Sequence, residues 1–279
     1  MTDLLINKKD NFSMVNALAD LGRGPLLVHS DSFHTMKEIP RGLKGNEALD
    51  AHIQNLKLIS GGRGLWFPSF DEDFPRRPFN MRTSRGRVGE IAERYRTHWA
   101  EWRTPVPLIS FVGEGRPPDL TITDPYDPYG SGSAFADLIK RDGIILFYGA
   151  SFSTLTMIHH IEVLNGRPLY RYDKILKNHL IGEKGQKVSF NLLYHCRPSL
   201  KPFEYDFEKL QRTLLTRGLI LPSSSNSSVF AINARALCDV WKTLLLDDPL
   251  VFLKTESRFW IEPLLKRLRR RFIASDIEK

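Results

Sequence analysis

The stretch ILFYGASFSTLTMIHHIE (residues 145–162) contains the pattern from which the fold class follows. Together with Ile144, its first residues form a continuous apolar run, which predicts a strand buried on both faces. The glycine and serines from Gly149 to Ser153 predict a turn. The apolar spacing from Leu155 to Leu164 then predicts a helix. A buried strand that leads through a turn into a helix is a basic unit of an α/β sheet.

The same alternation of strands and helices occurs on both sides of this stretch. Strands are predicted at 25–28, 65–67 and 108–112, and at 188–194, where residues alternate as in an antiparallel pair. Helices are predicted at 11–22, 47–57, 84–102, 133–141, 205–217 and 234–246, with loops at 113–132 and 223–228. We therefore expect an α/β fold, a three-layer sandwich in which helices cover a central mixed β-sheet.

The composition is that of an ordinary folded protein. The 279 residues are 42% hydrophobic and 26% charged, which suits one large α/β domain or two small ones. The two cysteines, Cys196 and Cys238, indicate a reducing compartment rather than a disulfide framework. We see no signal peptide and no apolar run of about 20 residues, so we expect a cytoplasmic protein that is not integral to a membrane. No Cys/His cluster has the spacing of a zinc site, and we expect no metal.

The net charge of +8 predicts anionic partners, and much of it lies in one terminal segment. The run LKRLRRRF (residues 265–272) holds five cations, and without them the net charge is +3. Leu264, Leu268 and Phe272 share one helical face, so we interpret the run as a basic amphipathic helix that docks by that face. The alternative is contact with a membrane or an anionic ligand. We divide the chain into a single domain over 1–253 and a basic helical appendage over 254–279, and expect no nucleic-acid partner.

His159 and Glu162 are the candidate catalytic pair. They lie three residues apart in the predicted helix and share a face, so the carboxylate can orient the imidazole and stabilise its charged form. Such a histidine can take the proton of an amine as the nitrogen forms a new bond. From spacing alone, a surface ion pair is the commoner explanation. The other histidines, His195 among them, show no ligand spacing, and we interpret them as structural or surface groups.

The same residues resemble a known family. The antibiotic N-acetyltransferases, also called aminoglycoside 3-N-acetyltransferases, carry a Thr-x-x-His-x-x-Glu element after a strand that ends in glycine. Thr156, His159 and Glu162 occupy its three positions. The resemblance implies that His159 is the catalytic base with Glu162 close to it. It also implies an antibiotic N-acetyltransferase-like fold, and acetyl-CoA or another acyl-CoA as the co-substrate.

Six further elements resemble the family and appear in its order. They are LLVHSDSF (26–33), WFPSFDEDF (66–74), TSRGRVGEIAERYR (83–96), WRTPVPLIS (102–110), YGSGSAFADL (129–138) and NARALCDV (233–240). The resemblance therefore extends from about residue 10 to residue 250. This chain departs from the family pattern, because Val106 replaces a histidine, Ala134 replaces a proline, and the loop at 119–129 has no histidine where many members have one. We interpret these departures as signs of a changed acceptor or acyl pocket. The alternative, a loss of activity, is disfavoured by the intact Thr-x-x-His-x-x-Glu element.

The resemblance also implies the binding residues. For the coenzyme they are Ser30, Asp31, Ser32, Phe33, Arg103, Thr104, Ser110 and Thr156. For the acceptor we expect Ser69, Asp71, Asp73 and Tyr129. The acidic run from Asp71 to Asp73 at a strand end suits a cationic amine, and a solvated loop is an equally common explanation of it. Backbone N–H groups of the loop at 30–33, or of the turn at 130–133, can hold a pyrophosphate or the oxyanion of a thioester. The alternative for Ser133 is a helix cap.

We expect direct acyl transfer within a ternary complex to the amine of a sugar, with His159 as the general base. The net charge favours a nucleotide-linked amino sugar, whose diphosphate is anionic. The resemblance implies a role in surface-polysaccharide synthesis, because relatives of the family act on such sugars there. The alternative is an aminoglycoside 3-N-acetyltransferase that confers antibiotic resistance. A second alternative is a non-enzymatic protein that binds anions or nucleic acid through its basic tail. The expected partners are the acyl-CoA and the amino sugar, and a homodimer is compatible with these expectations.

Overall fold

The computed structural model describes residues 8–223 and 228–278. The helices are α1 (Lys8–Leu21), α2 (Gly45–Ser60), α3 (Glu90–His98), α4 (Ala134–Lys140), α5 (Met157–Leu164), α6 (Phe207–Thr216), α7 (Ala234–Asp247), α8 (Thr255–Leu268) and α9 (Ala274–Ile277). The strands are β1 (Leu26–Ser30), β2 (Leu65–Pro68), β3 (Phe79–Asn80), β4 (Trp102–Arg103), β5 (Phe111–Gly113), β6 (Ile144–Tyr148), β7 (Tyr172–Ile181), β8 (Lys187–Cys196), β9 (Leu221–Pro222) and β10 (Val229–Asn233). Two 3-10 turns lie at Phe33–Glu38 and Phe152–Thr154.

The central sheet has seven strands in the order β4-β5-β2-β1-β6-β10-β9. β1 pairs in parallel with both β2 and β6, and the other neighbours pair antiparallel. The predicted mixed sheet is therefore confirmed. The strand that suggested it lies elsewhere, because β8 pairs with β7 in a second sheet of order β3-β7-β8. Alternation along a strand shows that one face is buried, but it does not show which sheet the strand joins.

Helices cover both faces of the central sheet, which confirms the predicted three layers. Successive residues of a strand point to opposite faces. Ile144 and Leu146 of β6 pack in the layer with α1, α2 and α3, whereas Ile145 and Phe147 pack in the layer with α4 to α7. Because these positions are buried on either face, β6 appears in the sequence as a continuous apolar run.

The C-terminal segment packs against the second sheet. Phe272 and Ile277 belong to a buried cluster that also contains Tyr172 of β7 and Cys196 of β8. The helix in this segment differs from the predicted one, because α8 begins at Thr255 and ends at Leu268. It ends there because the next residue, Arg269, adopts a left-handed φ of 52°. Phe272 therefore lies beyond the helix, although only 2% of its surface is exposed.

One predicted helix is shorter in the structure, and one predicted loop is described only at its ends. The helix expected over 84–102 is shorter, because α3 begins after Gly89, which has a φ of 120°, and ends at His98. The last residue of the range, Trp102, begins β4. The polar loop expected at 223–228 lies mostly outside the described residues. Among the helices that the structure describes, none is long and apolar enough to cross a membrane.

Candidate functional site

His159 reaches its position because β6 leads directly into α5. At Gly149 the chain turns with a φ of 80°, and a Cβ atom there would lie 2.4 Å from the carbonyl oxygen of Asp31, so the turn requires glycine. The 3-10 turn follows, and α5 begins at Met157. His159 thus lies in the first turn of α5, beyond the carboxyl end of a parallel strand. Open α/β sheets bind their ligands at this edge.

A cavity of about 740 Å³ opens beside His159. The start of α5, the β7–β8 hairpin and the segment before α6 all contribute to its wall. The lining residues are Tyr129, Ser153, Thr154, Leu155, Thr156, Ile158, His159, Arg171, Tyr194, His195, Arg197, Phe203, Glu204, Tyr205, Phe207, Glu208 and Lys254. Tyr129, Thr156 and His159 are residues that the sequence predicts for the site.

His159 and Glu162 form the pair that their spacing predicts. The imidazole Nδ1 lies 3.2 Å from the Oε2 atom of Glu162. The side chain of His159 keeps 22% of its surface exposed, whereas that of Glu162 is fully buried. The ring of Tyr129 lies edge-on to the imidazole, with 5.2 Å between the ring centres. We assign the proton of neutral His159 to Nδ1, which donates to the carboxylate and leaves Nε2 as the proton acceptor.

Glu162 is held as a buried carboxylate by several donors. The hydroxyl groups of Tyr170 and Tyr205 each donate to its Oε1 atom at 2.7 Å. The Nε atom of Arg171 lies 3.4 Å from Oε2. Burial favours the neutral acid, but Arg171 and the hydrogen bonds of two histidines outweigh that effect and hold the pKa of Glu162 well below its usual range. The carboxylate is therefore ionised beside His159.

His159 is neutral at neutral pH. Burial lowers its pKa to about 4, and the Arg171 guanidinium adds to the lowering, whereas Glu162 opposes it. A neutral imidazole can accept a proton, and the nearby carboxylate then stabilises the imidazolium that forms. The pair therefore has the protonation state that a general base requires.

His195 is a member of this site that the sequence interpretation missed. Its Nε2 atom lies 3.3 Å from Oε2 of Glu162, and its Nδ1 atom lies 3.3 Å from Oδ1 of Asp173. The pairing of β7 with β8 places Asp173 directly opposite His195. A surface position for His195 is thereby excluded, since the residue is buried and lies within hydrogen-bonding distance of Glu162. No spacing in the sequence links these positions.

Three of these side chains have the spacing of a metal-binding group. Ligand atoms of His159, Glu162 and His195 lie within 4.8 Å of one another. Two histidines and a carboxylate are a donor set that suits zinc. However, Arg171 already compensates the charge of Glu162 at 3.4 Å, and a guanidinium so close disfavours a second cation. We therefore interpret the group as an acid–base cluster.

The coenzyme loop expected at 30–33 lies at the same edge of the sheet as His159. Ser30 ends β1 and pairs with Tyr148, the last residue of β6. The backbone N–H of Asp31 donates to the Tyr148 carbonyl at 2.9 Å, and its carboxylate accepts from the Phe33 N–H at 2.9 Å. Ser32 precedes the 3-10 turn, and the ring of Phe33 is 80% exposed. Coenzyme binding by this loop stays a prediction.

The other residues expected to bind the coenzyme are buried in internal hydrogen bonds. Arg103 donates to Oγ of Ser110 at 3.1 Å and to the carbonyl of Ser69 at 2.9 Å, and Ser110 donates to the same carbonyl. Oγ1 of Thr104 accepts from the Phe111 N–H at 2.8 Å. Arg103, Thr104 and Ser110 do not line the cavity beside His159. Their bonds hold β2, β4 and β5 together, and a role toward the coenzyme stays a prediction.

Among the expected acceptor residues, the cavity beside His159 includes Tyr129 alone. Ser69 and Asp71 are buried beyond the end of β2, and Oδ1 of Asp71 accepts from the backbone N–H of Asp73 at 2.8 Å. Asp73 itself pairs with Arg87 at 3.3 Å. The structure thus does not bring these three residues into the cavity wall. Val106, the departure from the family pattern, lies in the apolar core.

Comparison with known proteins gives the family. The family described as aminoglycoside 3-N-acetyltransferase matches residues 63–245. Apo aminoglycoside acetyltransferase AAC(3)-IVa is 20% identical with a TM-score of 0.64, over 88% of this chain and 91% of that chain. A histidine-to-alanine mutant of the same enzyme in complex with a gentamicin is 21% identical with a TM-score of 0.62, over 90% and 93% of the two chains.

The binary complex of AAC-IIIb with CoASH is 22% identical with a TM-score of 0.61, over 85% of this chain and 96% of that chain. No curated protein sequence matches the chain. At these identities the solved structures show that the fold is shared. The family match covers more than half of the chain. This chain therefore belongs to the aminoglycoside 3-N-acetyltransferase family.

Proposed function

We propose that this protein transfers the acetyl group of acetyl-CoA to an amine of an aminoglycoside, directly and within a ternary complex. The observation that carries the proposal is the neutral His159, held 3.2 Å from the ionised Glu162 at the wall of a 740 Å³ cavity. His159 acts as the general base, and Glu162 orients its ring. The amine nitrogen attacks the thioester carbonyl carbon and gives its proton to His159. The C–S bond then breaks, and CoA leaves as the thiol with the proton that His159 returns.

The low pKa of His159 is compatible with this role. As the C–N bond forms, the attacking nitrogen becomes positively charged and therefore far more acidic than the free ammonium ion. A base whose pKa is lowered to about 4 can take that proton, and the imidazolium it forms gains the attraction of Glu162. Because the resting imidazole is neutral, it also does not repel a cationic acceptor that approaches the cavity.

Removal of the base tests the proposal. We expect His159→Ala to lower kcat by about a hundredfold or more, the size of a typical general-base contribution. The matched control is His98→Ala, since His98 is exposed at the end of α3 and outside the cavity lining. Both variants should keep the circular dichroism spectrum and the CoA affinity of the wild type. Full turnover by His159→Ala would reject the assigned role.

The aminoglycoside acceptor is supported by the comparisons. The matching family carries that description, and the similar structure of the AAC(3)-IVa mutant holds a gentamicin. These findings support an aminoglycoside better than the nucleotide-linked amino sugar that the net charge favours. We expect gentamicin to be acetylated with release of CoA thiol, measured with a thiol reagent. Release with nucleotide-linked amino sugars alone would contradict this choice of acceptor.

A nucleotide-linked amino sugar is the second candidate, and the charges of the cavity favour it. The two lining carboxylates are both paired, Glu204 with Lys254 at 2.5 Å and Glu208 with Arg212 at 2.5 Å. Arg197 lines the same cavity without an ion pair to any residue that the structure describes. A polycation therefore meets no unpaired carboxylate in this described lining, whereas a diphosphate meets an unpaired cation.

Neutralising this arginine distinguishes the two acceptors. If the acceptor is a polycation, Arg197→Gln removes a repulsion and lowers its KM. If the acceptor is a nucleotide-linked sugar, the same change removes an attraction and raises its KM. Lys201→Gln is the matched control, because Lys201 is exposed and does not line this cavity. An unchanged KM for both acceptors would remove the argument from charge.

A further inference from the structure

The C-terminal segment reaches the active site, although the family match ends at residue 245. Lys254, at the start of the segment, lines the cavity beside His159. Arg271, near its end, binds Asp173 through two nitrogens: Nη1 lies 2.7 Å from Oδ2, and Nη2 lies 2.9 Å from Oδ1. A guanidinium that meets both oxygens of a carboxylate fixes its orientation as well as its charge.

The neighbours of Arg271 hold it in place. The ring of Phe272 is buried and stacks on Trp260, and its backbone N–H donates to the Leu169 carbonyl at 2.9 Å. On the other side, Arg270 pairs with Asp276 at 2.6 Å. The backbone that carries Arg271 is therefore anchored on both sides. The side chain loses little further freedom when it binds Asp173.

From Asp173 a continuous row of contacts leads to the base. Asp173 Oδ1 lies 3.3 Å from His195 Nδ1, and His195 Nε2 lies 3.3 Å from Glu162 Oε2. The same Oε2 atom lies 3.2 Å from His159 Nδ1. Each ring nitrogen of His195 therefore lies beside one carboxylate, and the ring joins Asp173 and Glu162 in one arrangement.

Asp173 has two cationic neighbours, and Arg271 binds it through more nitrogen atoms than Arg167 does. Arg167 contacts Asp173 through a single nitrogen, Nη1, which lies 3.2 Å from Oδ2. Its second terminal nitrogen binds Asp127 instead. Burial raises the pKa of Asp173, but the hydrogen bonds of His195 and Arg271 outweigh burial and lower it below its usual range. Asp173 is therefore an ionised carboxylate whose position depends on Arg271.

We infer that Arg271 is a positioning residue for the acetyl transfer. By holding Asp173, it fixes His195 and thereby the carboxylate that orients His159. The C-terminal segment thus contributes a residue that positions the catalytic groups. The inference rests on the proposed role of His159 as the base. It assigns Arg271 no contact with either substrate, so its loss affects the chemical step rather than binding.

Steady-state kinetics of the full chain test this role. We expect Arg271→Gln to lower kcat about tenfold or more, because small displacements of a catalytic group cost large factors in rate. KM for acetyl-CoA and for the acceptor should stay within about twofold, and Arg271→Lys should recover part of kcat. The control is Lys266→Gln, which removes the same charge from a side chain that is 75% exposed. An unchanged kcat in Arg271→Gln overturns the inference.

A double-mutant cycle separates positioning from general stability. Arg271 and Asp173 act along one row of contacts, so we expect Arg271→Gln with Asp173→Asn to lose no more kcat than Asp173→Asn alone. Additive losses would mean that Arg271 does not act through Asp173, and would overturn the inference. If Arg271→Gln does not fold, the same cycle is run with Arg271→Lys. Its loss of kcat is smaller, and the double variant should again lose no more kcat than Asp173→Asn alone.

A spectroscopic readout is independent of turnover. In ¹⁵N spectra of the imidazole rings, we expect the signals of His159 and His195 to shift in Arg271→Gln and to stay in place in Lys266→Gln. Unmoved signals in Arg271→Gln, or equal shifts in both variants, would overturn the inference. A wild-type protein that acetylates no amine would reject the proposed function instead, and the spectra would still show whether Arg271 positions the two rings.

Discussion

At the scale of single residues, Arg171 has two opposing effects on the candidate base. Its Nε and Nη2 atoms donate to the hydroxyl oxygen of Tyr205 at 2.8 and 2.6 Å, which places the cation beside Glu162. There it stabilises the ionised carboxylate that orients His159. Burial is the largest cause of the lowered pKa of His159, and the same cation is the second largest. The residue that secures the orientation of the ring thus also weakens it as a base.

The charge of Arg171 predicts the pH dependence of turnover. In Arg171→Gln the pKa of His159 should rise from about 4 toward its ordinary 6.5, because one cause of the lowering is gone. Neutral imidazole is the active form, so activity is lost as pH falls through that pKa. The acidic limb of kcat/KM should therefore move to higher pH. Arg171→Lys keeps the charge and should keep the limb. A limb at the same pH in both variants would contradict the account.

At the scale of elements, α5 places one histidine at the cavity and the next in the interior, and a serine before α4 has a structural role. The α5 helix places His159 at the cavity and its neighbour His160 in the interior, where Nδ1 of His160 donates to the Tyr129 carbonyl at 2.7 Å. Ser133 caps α4, because its Oγ accepts from the Ala136 N–H at 3.3 Å. The geometry thus favours the cap over an oxyanion role for Ser133.

The cap makes a prediction for the stability of α4. We expect Ser133→Ala to lower the free energy of unfolding by about 1 kcal/mol, the usual cost of a lost N-cap. Turnover should stay within about twofold of the wild type. Urea unfolding and steady-state rates measure the two quantities, with Ser131→Ala as the control because Ser131 is exposed in the same turn. A large loss of turnover at unchanged stability would instead favour an oxyanion role.

At the scale of the whole molecule, buried histidines link stability to pH. Burial lowers the pKa of four of them from 6.5 to about 4, namely His29, His52, His159 and His160. The unfolded chain binds these protons near pH 6.5, whereas the folded chain does not bind them until the pH approaches 4. Their contribution to stability is therefore present above pH 6.5 and is lost as the pH falls from 6.5 toward 4.

This linkage predicts acid destabilisation at mild pH. The urea midpoint of unfolding should fall steadily between about pH 7 and pH 5, a range in which ordinary carboxylates remain ionised. His29→Leu should make the fall shallower, because it removes one group that protonates only on unfolding. His98→Leu, at an exposed position, should leave the slope unchanged. Equal midpoints of the wild type at both ends of this range would refute the prediction.

The features that depend on near neighbours in the chain could be predicted from the amino-acid sequence. Apolar runs and helical spacing predict β6 and α5, since burial of a strand or of a helix face imposes a local period. The three-residue spacing of His159 and Glu162 predicts their contact for the same reason. Strand–helix alternation predicts the three layers, because each element must cover its apolar face with another.

The rest of the site depends on how distant segments pack. Arg171 and His195 meet Glu162, and Asp173 meets His195, because β7 pairs with β8. Arg271 joins them because the C-terminal segment packs on that hairpin. Contacts between distant parts of a chain leave no spacing in the sequence, since the register of pairing is set by the whole fold. Within a helix turn, a contact between two side chains corresponds to a fixed spacing in the sequence and can be predicted from it. A polar cluster assembled from separate elements has no such spacing and is decided by tertiary packing.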